Sequence, residues 1–201
     1  MSDCYPVEVE VGGATAFFGR PDVGSAMISF PAPTQPACKG IFDSIARVPG
    51  ATIVPVKTEI CAPLRWHTWA TNYGGPYRKY EQIRDGNSYQ MFATALTNVR
   101  YRIYGLVELV PGHPPSKINL RHQLQEIFRR RVKRGQCFYY PCLGWREFVV
   151  SYFGPCGSED IVQRSINQEL LAVPFLTYTA DGQPVRTFRN LKINKGVLIY
   201  V

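Results

Sequence analysis

A chain of 201 residues, 45% of them apolar, is long enough to bury one sizeable core, which excludes the disordered and fibrous classes. Its formal charge of +8, from 23 Lys and Arg against 15 Asp and Glu, calls for an acidic partner, nucleic acid ahead of an anionic membrane. No apolar run reaches the roughly 18 residues that a bilayer span needs, and MSDCYPVEVEV lacks the basic-then-apolar order of a signal peptide, so the expectation is a cytoplasmic protein with no membrane partner.

In chain order, VEVEV (7–11) alternates apolar and polar residues, the period of a half-buried strand. The Gly- and Pro-rich stretch that follows, 12–36, reads as mostly loop despite its aromatics. TQPACKGIFDSIARV then predicts a helix: Thr34 can cap it, Pro36 suits its first turn, and Cys38, Ile41, Phe42 and Ile45 recur at helical spacing. Residues 50–60 return to a β pattern in which Pro55 marks an edge or a bulge.

Residues 62–90 read as an insertion, a hairpin rich in aromatic and basic side chains around a Gly-Gly-Pro turn. Trp66, Trp69, Tyr73 and Tyr77, set among Arg65, Arg78 and Lys79, suggest a clamp. NVRYRIYGLVEL (98–109) is a strand, with Val99, Tyr101 and Ile103 on one face and Arg100, Arg102 and Tyr104 on the other. A second helix covers about 119–134, and WREFVVSYF (145–153) predicts a last core strand. The order β-α-β-β-α-β is that of an α+β, ferredoxin-like or RNA-recognition-motif core over 1–154, followed by a small C-terminal β extension over 155–201 with ADGQP and NKG turns. The six cysteines contain no C-x-x-C pair and are expected to be small buried hydrophobes; no metal and no cofactor are expected.

On the second helix Leu120, Leu124, Ile127, Phe128 and Val132 form the packing stripe, leaving His122, Glu126, Arg129, Arg130 and Lys133 on the other side. From Lys117 to Arg134 seven Lys and Arg face one acid, Glu126, more than a merely solvated face requires, and phosphate binding accounts for the excess. His122 sits in the first turn, beside unpaired N–H groups that favour a neutral imidazole able to accept a proton. With Lys117 and Arg121 to offset charge growing on a phosphate, the cluster has the parts for metal-independent RNA cleavage by the neighbouring 2′-hydroxyl. The plainer alternative is that His122 only hydrogen-bonds a phosphate or a loop. Beyond the helix, Gly135 and Gly144 allow close backbone approach, and Phe138, Tyr139 and Tyr140 offer ring faces for unpaired bases, unless Phe138 and Phe148 belong to the core. Aromatics among arginines suit single-stranded RNA better than duplex.

FFGRPD, PTQPACKGIFDSIA, TNVRYRIYGLVEL and especially IFRRRVKRGQCFYYPCLGWREF resemble, in order over roughly residues 5–153, the fifth CRISPR-associated protein family in its subtype I-C form. The resemblance implies an RNA-recognition-motif (RAMP) core with an inserted thumb hairpin. It also implies a subunit of a type I surveillance (Cascade) complex that caps the 5′ repeat-derived handle of CRISPR RNA beside the backbone and large subunits, meeting target DNA indirectly, and in subtype I-C an endoribonuclease that processes precursor CRISPR RNA. Its RNA contacts would include Arg20, Lys39, Arg130, Arg131, Gln136 and Arg146, with Arg129, Lys133, Arg134 and Tyr139 in the same blocks. The family's cleavage site has an aromatic residue near the end of the first helix and a Lys-His pair before IFRRR. Here the first position is Ala46 and the pair falls on Gln123 and Leu124, while Arg121-His122 stands two residues earlier, roughly 200° round a helix. Either the helix starts differently and Arg121-His122 takes over, assisted by Lys117 or His113, or cleavage is lost and the protein is a binding scaffold. An unrelated RNA-recognition-motif adapter is the remaining alternative.

Overall fold

The computed structural model describes residues 4–23, 27–73, 79–86, 89–179 and 183–200. Among them nine strands form one sheet in the order β6-β1-β5-β3-β9-β8-β7, with β2 and β4 also on β5. The strands are β1 (Pro6–Ala16), β2 (Met27–Ile28), β3 (Ala51–Ile60), β4 (Trp66–Tyr73), β5 (Tyr89–Leu109), β6 (Tyr152–Gly154), β7 (Gln168–Tyr178), β8 (Pro184–Asn194) and β9 (Val197–Ile199). The α-helices are α1 (Gln35–Ile45), the short α2 (Tyr80–Arg84) and α3 (Leu120–Arg134). No helix among the described residues is long and apolar enough to cross a membrane.

The 21-residue β5 is the spine. Along one side β1 pairs antiparallel, from Pro6 opposite Leu106 to Ala16 opposite Leu96, and β2 continues in parallel. Along the other side β3 takes the second half of β5 and β4 the first, from Trp66 opposite Leu96 to Tyr73 opposite Tyr89. β4 and the first half of β5 thus form an antiparallel pair that grows out of the core sheet. Pro55 does sit at a register shift, between Pro55 and Lys57, because a residue without an N–H cannot hold its place in a two-sided ladder.

The 3.6-residue stripes of α1 and α3 cover one face of the sheet. Ile41, Phe42, Leu124 and Phe128 join Val9, Val11, Ile53 and Ile103 in a single buried cluster, and the Phe42 and Phe128 rings meet edge to face at 5.5 Å. Each such side chain contributes about 1.5–3 kcal/mol on leaving water. The tail shares that core: Leu170, Val173, Phe175, Leu198 and Tyr200 belong to the same cluster, and Gln35 exchanges two hydrogen bonds with the Leu176 backbone, at 3.2 and 3.0 Å.

Three expectations are corrected. β1 runs on through Gly12 and Gly13 to Ala16, so the start of the presumed loop is strand; a Cβ on Gly13 would lie 2.5 Å from Leu143, so this glycine admits a close approach and makes no turn. The strand expected at 145–153 shrinks to Tyr152–Gly154. Its first half is a turn, closed by Leu143 N–H to Phe148 O at 2.7 Å and Phe148 N–H to Trp145 O at 3.1 Å. Of the cysteines only Cys38 and Cys61 are buried; Cys4 is exposed and Cys137, Cys142 and Cys156 are half-buried.

Candidate nucleic-acid interface

Both ends of α3 are fixed by local chemistry. The Asn119 side-chain oxygen accepts the His122 N–H at 3.2 Å, an N-cap, and Gly135 at φ 63° stops the helix with its N–H on the Arg131 and Val132 carbonyls. The helix is continuous, so His122 keeps its angular distance from Leu124. Leu124 is 1% exposed in the core while His122 faces solvent. The Lys-His positions inferred from the resemblance thus hold an exposed Gln123 and a core leucine, and Ala46 is the buried C-cap of α1.

Around His122 the structure gathers Tyr5, which no local signal in the sequence links to it. Its ring lies 6.4 Å from the imidazole and 5.0 Å from the Arg121 guanidinium, and its hydroxyl accepts from Asn119 Nδ2 at 2.8 Å. His122 and Arg130 line one cavity of about 560 Å³, with Glu126 between them. Arg121 shares a smaller one, of about 420 Å³, with His113, whose ring packs over Gly50. Lys117 stands exposed in the preceding loop.

The basic residues divide by partner. Arg131 Nη1 donates to Ile45 O at 2.7 Å, and the Phe138 and Tyr139 amides both donate to Ser44 O at 2.8 and 2.9 Å. Since α1 ends without a glycine, these bonds satisfy its last carbonyls and dock the loop after α3 onto it. Arg129 donates to Pro6 O at 3.2 Å and lies 3.8 Å from Glu126. Of the contacts that the resemblance implies, Arg20 is bound by Asp22 and Lys39 by Asp43, Lys39 being 9% exposed. Arg130, Lys133, Arg134 and Arg146 are exposed, and no acid among the described residues pairs with them.

Gln136, Tyr139 and Tyr140 continue this surface, the two tyrosines 61% and 63% exposed. Phe138, weighed as core, is 58% exposed; Phe148 is half-buried. Gly144, at φ 95°, approaches protein and not ligand: a Cβ there would lie 1.8 Å from Phe17 O. In the hairpin Trp66 is 45% exposed and Trp69 half-buried, while Tyr77 and Arg78 lie outside the described residues.

The other face of the sheet holds the arginines of β5. Arg100 and Arg102 each donate through Nε to Glu10 at 2.8 Å, and Arg102 also reaches Glu159 O at 2.9 Å. Gln163 N–H bonds Ile60 O and Gly196 N–H bonds Ile166 O, both at 2.9 Å, which straps residues 155–166 across this face. Burial works to raise the Glu10 carboxyl, but the hydrogen bonds from Arg102 and Arg100 outweigh it and hold it below the usual carboxylate range.

The model of the CRISPR-associated protein family Cas5, in its Cas5d form, matches residues 7–181. Relatives include the CRISPR pre-crRNA endoribonuclease Cas5d of Mannheimia succiniciproducens, 28% identical over 162 residues, 73% of this chain and 71% of that protein. The Cas5d endoribonuclease of Thermus thermophilus is 27% identical over 199 residues, covering 91% and 79%. A crystal structure of a CRISPR-associated protein matches the fold with TM-score 0.69 at 18% identity, covering 98% of this chain and 91% of that one. A functionally uncharacterized protein from Streptococcus mutans matches at 0.68 and 16% identity, covering 98% and 92%. These matches leave no place for the unrelated adapter: the chain belongs to the Cas5 family of CRISPR-associated proteins.

Proposed function

We propose that this chain binds the 5′ repeat-derived handle of CRISPR RNA as a cytoplasmic subunit of a type I-C-like Cascade complex, next to backbone and large subunits, and that it cleaves precursor CRISPR RNA without a metal. One observation carries the RNA reading: Arg130, Lys133, Arg134 and Arg146 are exposed cations without acid partners among the described residues, beside the open rings of Tyr139 and Tyr140. Cations spare for phosphates and rings spare for bases are what an unpaired strand requires. Gln136 lies between them, with Arg129 and Arg131 anchoring the same surface to the protein.

The finer architecture we infer is a ferredoxin-like core, β1-α1-β3-β5-α3-β6, over residues 1–154. The order β6-β1-β5-β3 supports it. β4, α2 and the first half of β5 then form the inserted thumb, and 155–201 the β extension.

For cleavage, His122 accepts the proton of a 2′-hydroxyl, whose oxygen bonds to the adjacent phosphorus as the P–O5′ bond breaks. The leaving oxygen takes a proton from water. Arg121 and Lys117 offset the charge on the phosphoryl oxygens, and the names of the two Cas5d relatives support this reaction. A binding scaffold without cleavage is the second reading, favoured by the buried Ala46 and Leu124, neither of which can exchange a proton. Incubation with the cognate repeat RNA in EDTA decides between them. Cleavage by the wild type, abolished in His122→Ala with RNA affinity retained, is expected; intact RNA with the wild type leaves the scaffold.

A further inference from the structure

The loop after α3 and the hairpin meet in an aromatic cluster that the proposed chemistry leaves unused. Trp145 and Phe148 stack at 5.7 Å with 16° between their planes, Trp69 of β4 meets Phe148 edge-on at 6.5 Å, and His67 stacks on Trp69 at 6.0 Å. Phe17 supports Trp145 from below at 4.3 Å. The rings do not close into a core: Trp69, Trp145 and Phe148 are each half-buried around an open cavity of about 760 Å³, which Gly144, Arg146 and Glu147 complete. That volume falls within the range of small-molecule sites.

A second cavity, of about 610 Å³, lies between α1 and Tyr139 and Tyr140, and it shares Gly144 and Arg146 with the first. The Arg146 guanidinium, unpaired among the described residues, therefore stands between two ring-lined recesses. The left-handed Gly144 holds the loop in place, because only a glycine lets it pass so close to Phe17. Glu147 makes the first recess a poor seat for a phosphate and leaves it to an uncharged ring.

We propose that the recess of Trp69, Trp145 and Phe148 is a stacking subsite for one splayed nucleobase of single-stranded RNA, with Arg146 holding the phosphate that leads to the next base at Tyr139 and Tyr140. The subsite rests on the RNA-binding reading above and adds the place where bases, as opposed to backbone, are gripped. Stacking on rings tolerates any base, since each has a π-face, so the subsite adds affinity without reading sequence.

The test uses the full chain with short oligouridylate and, as a polyanion without bases, inorganic polyphosphate. Trp145→Ala and Trp69→Ala each weaken oligouridylate roughly ten-fold. Both leave polyphosphate affinity and the salt dependence of binding unchanged, and Trp145→Phe keeps most of the affinity. Oligouridylate, but not polyphosphate, quenches tryptophan emission in Trp66→Phe protein. The subsite is overturned if folded Trp69→Ala binds oligouridylate as the wild type does, or if polyphosphate affinity falls in parallel, which would mean that the rings only shape the loop. Wild-type protein that does not bind oligouridylate at all overturns the RNA reading itself.

Discussion

Arginine does opposite work on the two faces of this molecule. On the far face of the sheet, Arg102 and Arg100 close on Glu10, which is 1% exposed, beneath the strap of residues 155–166. On the solvent face of α3, Arg130, Lys133 and Arg134 have no acid at all among the described residues. The first set is internal: breaking it leaves a buried charge. The second adds nothing to folding and is free to neutralise a polyanion. Net charge alone cannot separate them.

Glu10→Gln should give the largest effect, because it leaves Arg102, 6% exposed, without its counter-charge. Such losses cost about 3–5 kcal/mol, measured here by urea unfolding, with RNA affinity kept wherever the protein stays folded. The pH dependence follows from the depressed Glu10 carboxyl. Its stabilisation is present above the unfolded-state value and is lost as pH falls through the folded one, so wild-type stability should drop below about pH 4.5 more steeply than that of Glu10→Gln. If Glu10→Gln weakens RNA binding with stability untouched, the division between faces fails.

The converse variant, Arg130→Ala/Lys133→Ala/Arg134→Ala, should lower the slope of log affinity against log salt by about 2, at roughly 0.7 per phosphate contact on a single strand. Unfolding should stay within about 0.5 kcal/mol per site. Arg131→Ala sharpens the comparison within one turn of helix: losing its bond to Ile45 O should cost about 1.5–3 kcal/mol, whereas Arg130→Ala should cost almost nothing. A smaller loss than for Arg131→Ala is expected for Asn119→Ala, about 1 kcal/mol by loss of the N-cap in thermal unfolding. Because the same Asn119 side chain holds the Tyr5 hydroxyl beside His122, this variant should also slow RNA cleavage more than it weakens RNA binding.

The legible parts of the fold were those set by neighbouring residues. Thr34 and the Cys38, Ile41, Phe42, Ile45 stripe gave α1, the Val99–Tyr104 alternation gave part of β5, and Pro55 marked the bulge of β3. The first half of β5 stayed hidden because small side chains such as Ala93 and Ala95 blur a period-two pattern. The apolar run Phe148–Phe153 read as one strand, yet a short run of that kind fits a turn as well when Gly144 and a Leu143–Phe148 bond bend it. In the site, the exposed face of α3 was legible from periodicity. The neutralised Arg20 and Lys39, the tie of Arg131 to α1 and the Trp69–Phe148 meeting were not.

The sequence by itself determined α1, α3, the second half of β5 and which face of α3 is charged, because caps, periodicity and turn residues act over a few positions. Only the tertiary structure decided which cations are spent and which remain free. Glu10 and Arg102 are 92 residues apart in the chain, as are Tyr5 and Asn119 by 114, and pairings at such separations are fixed by how strands register across a sheet.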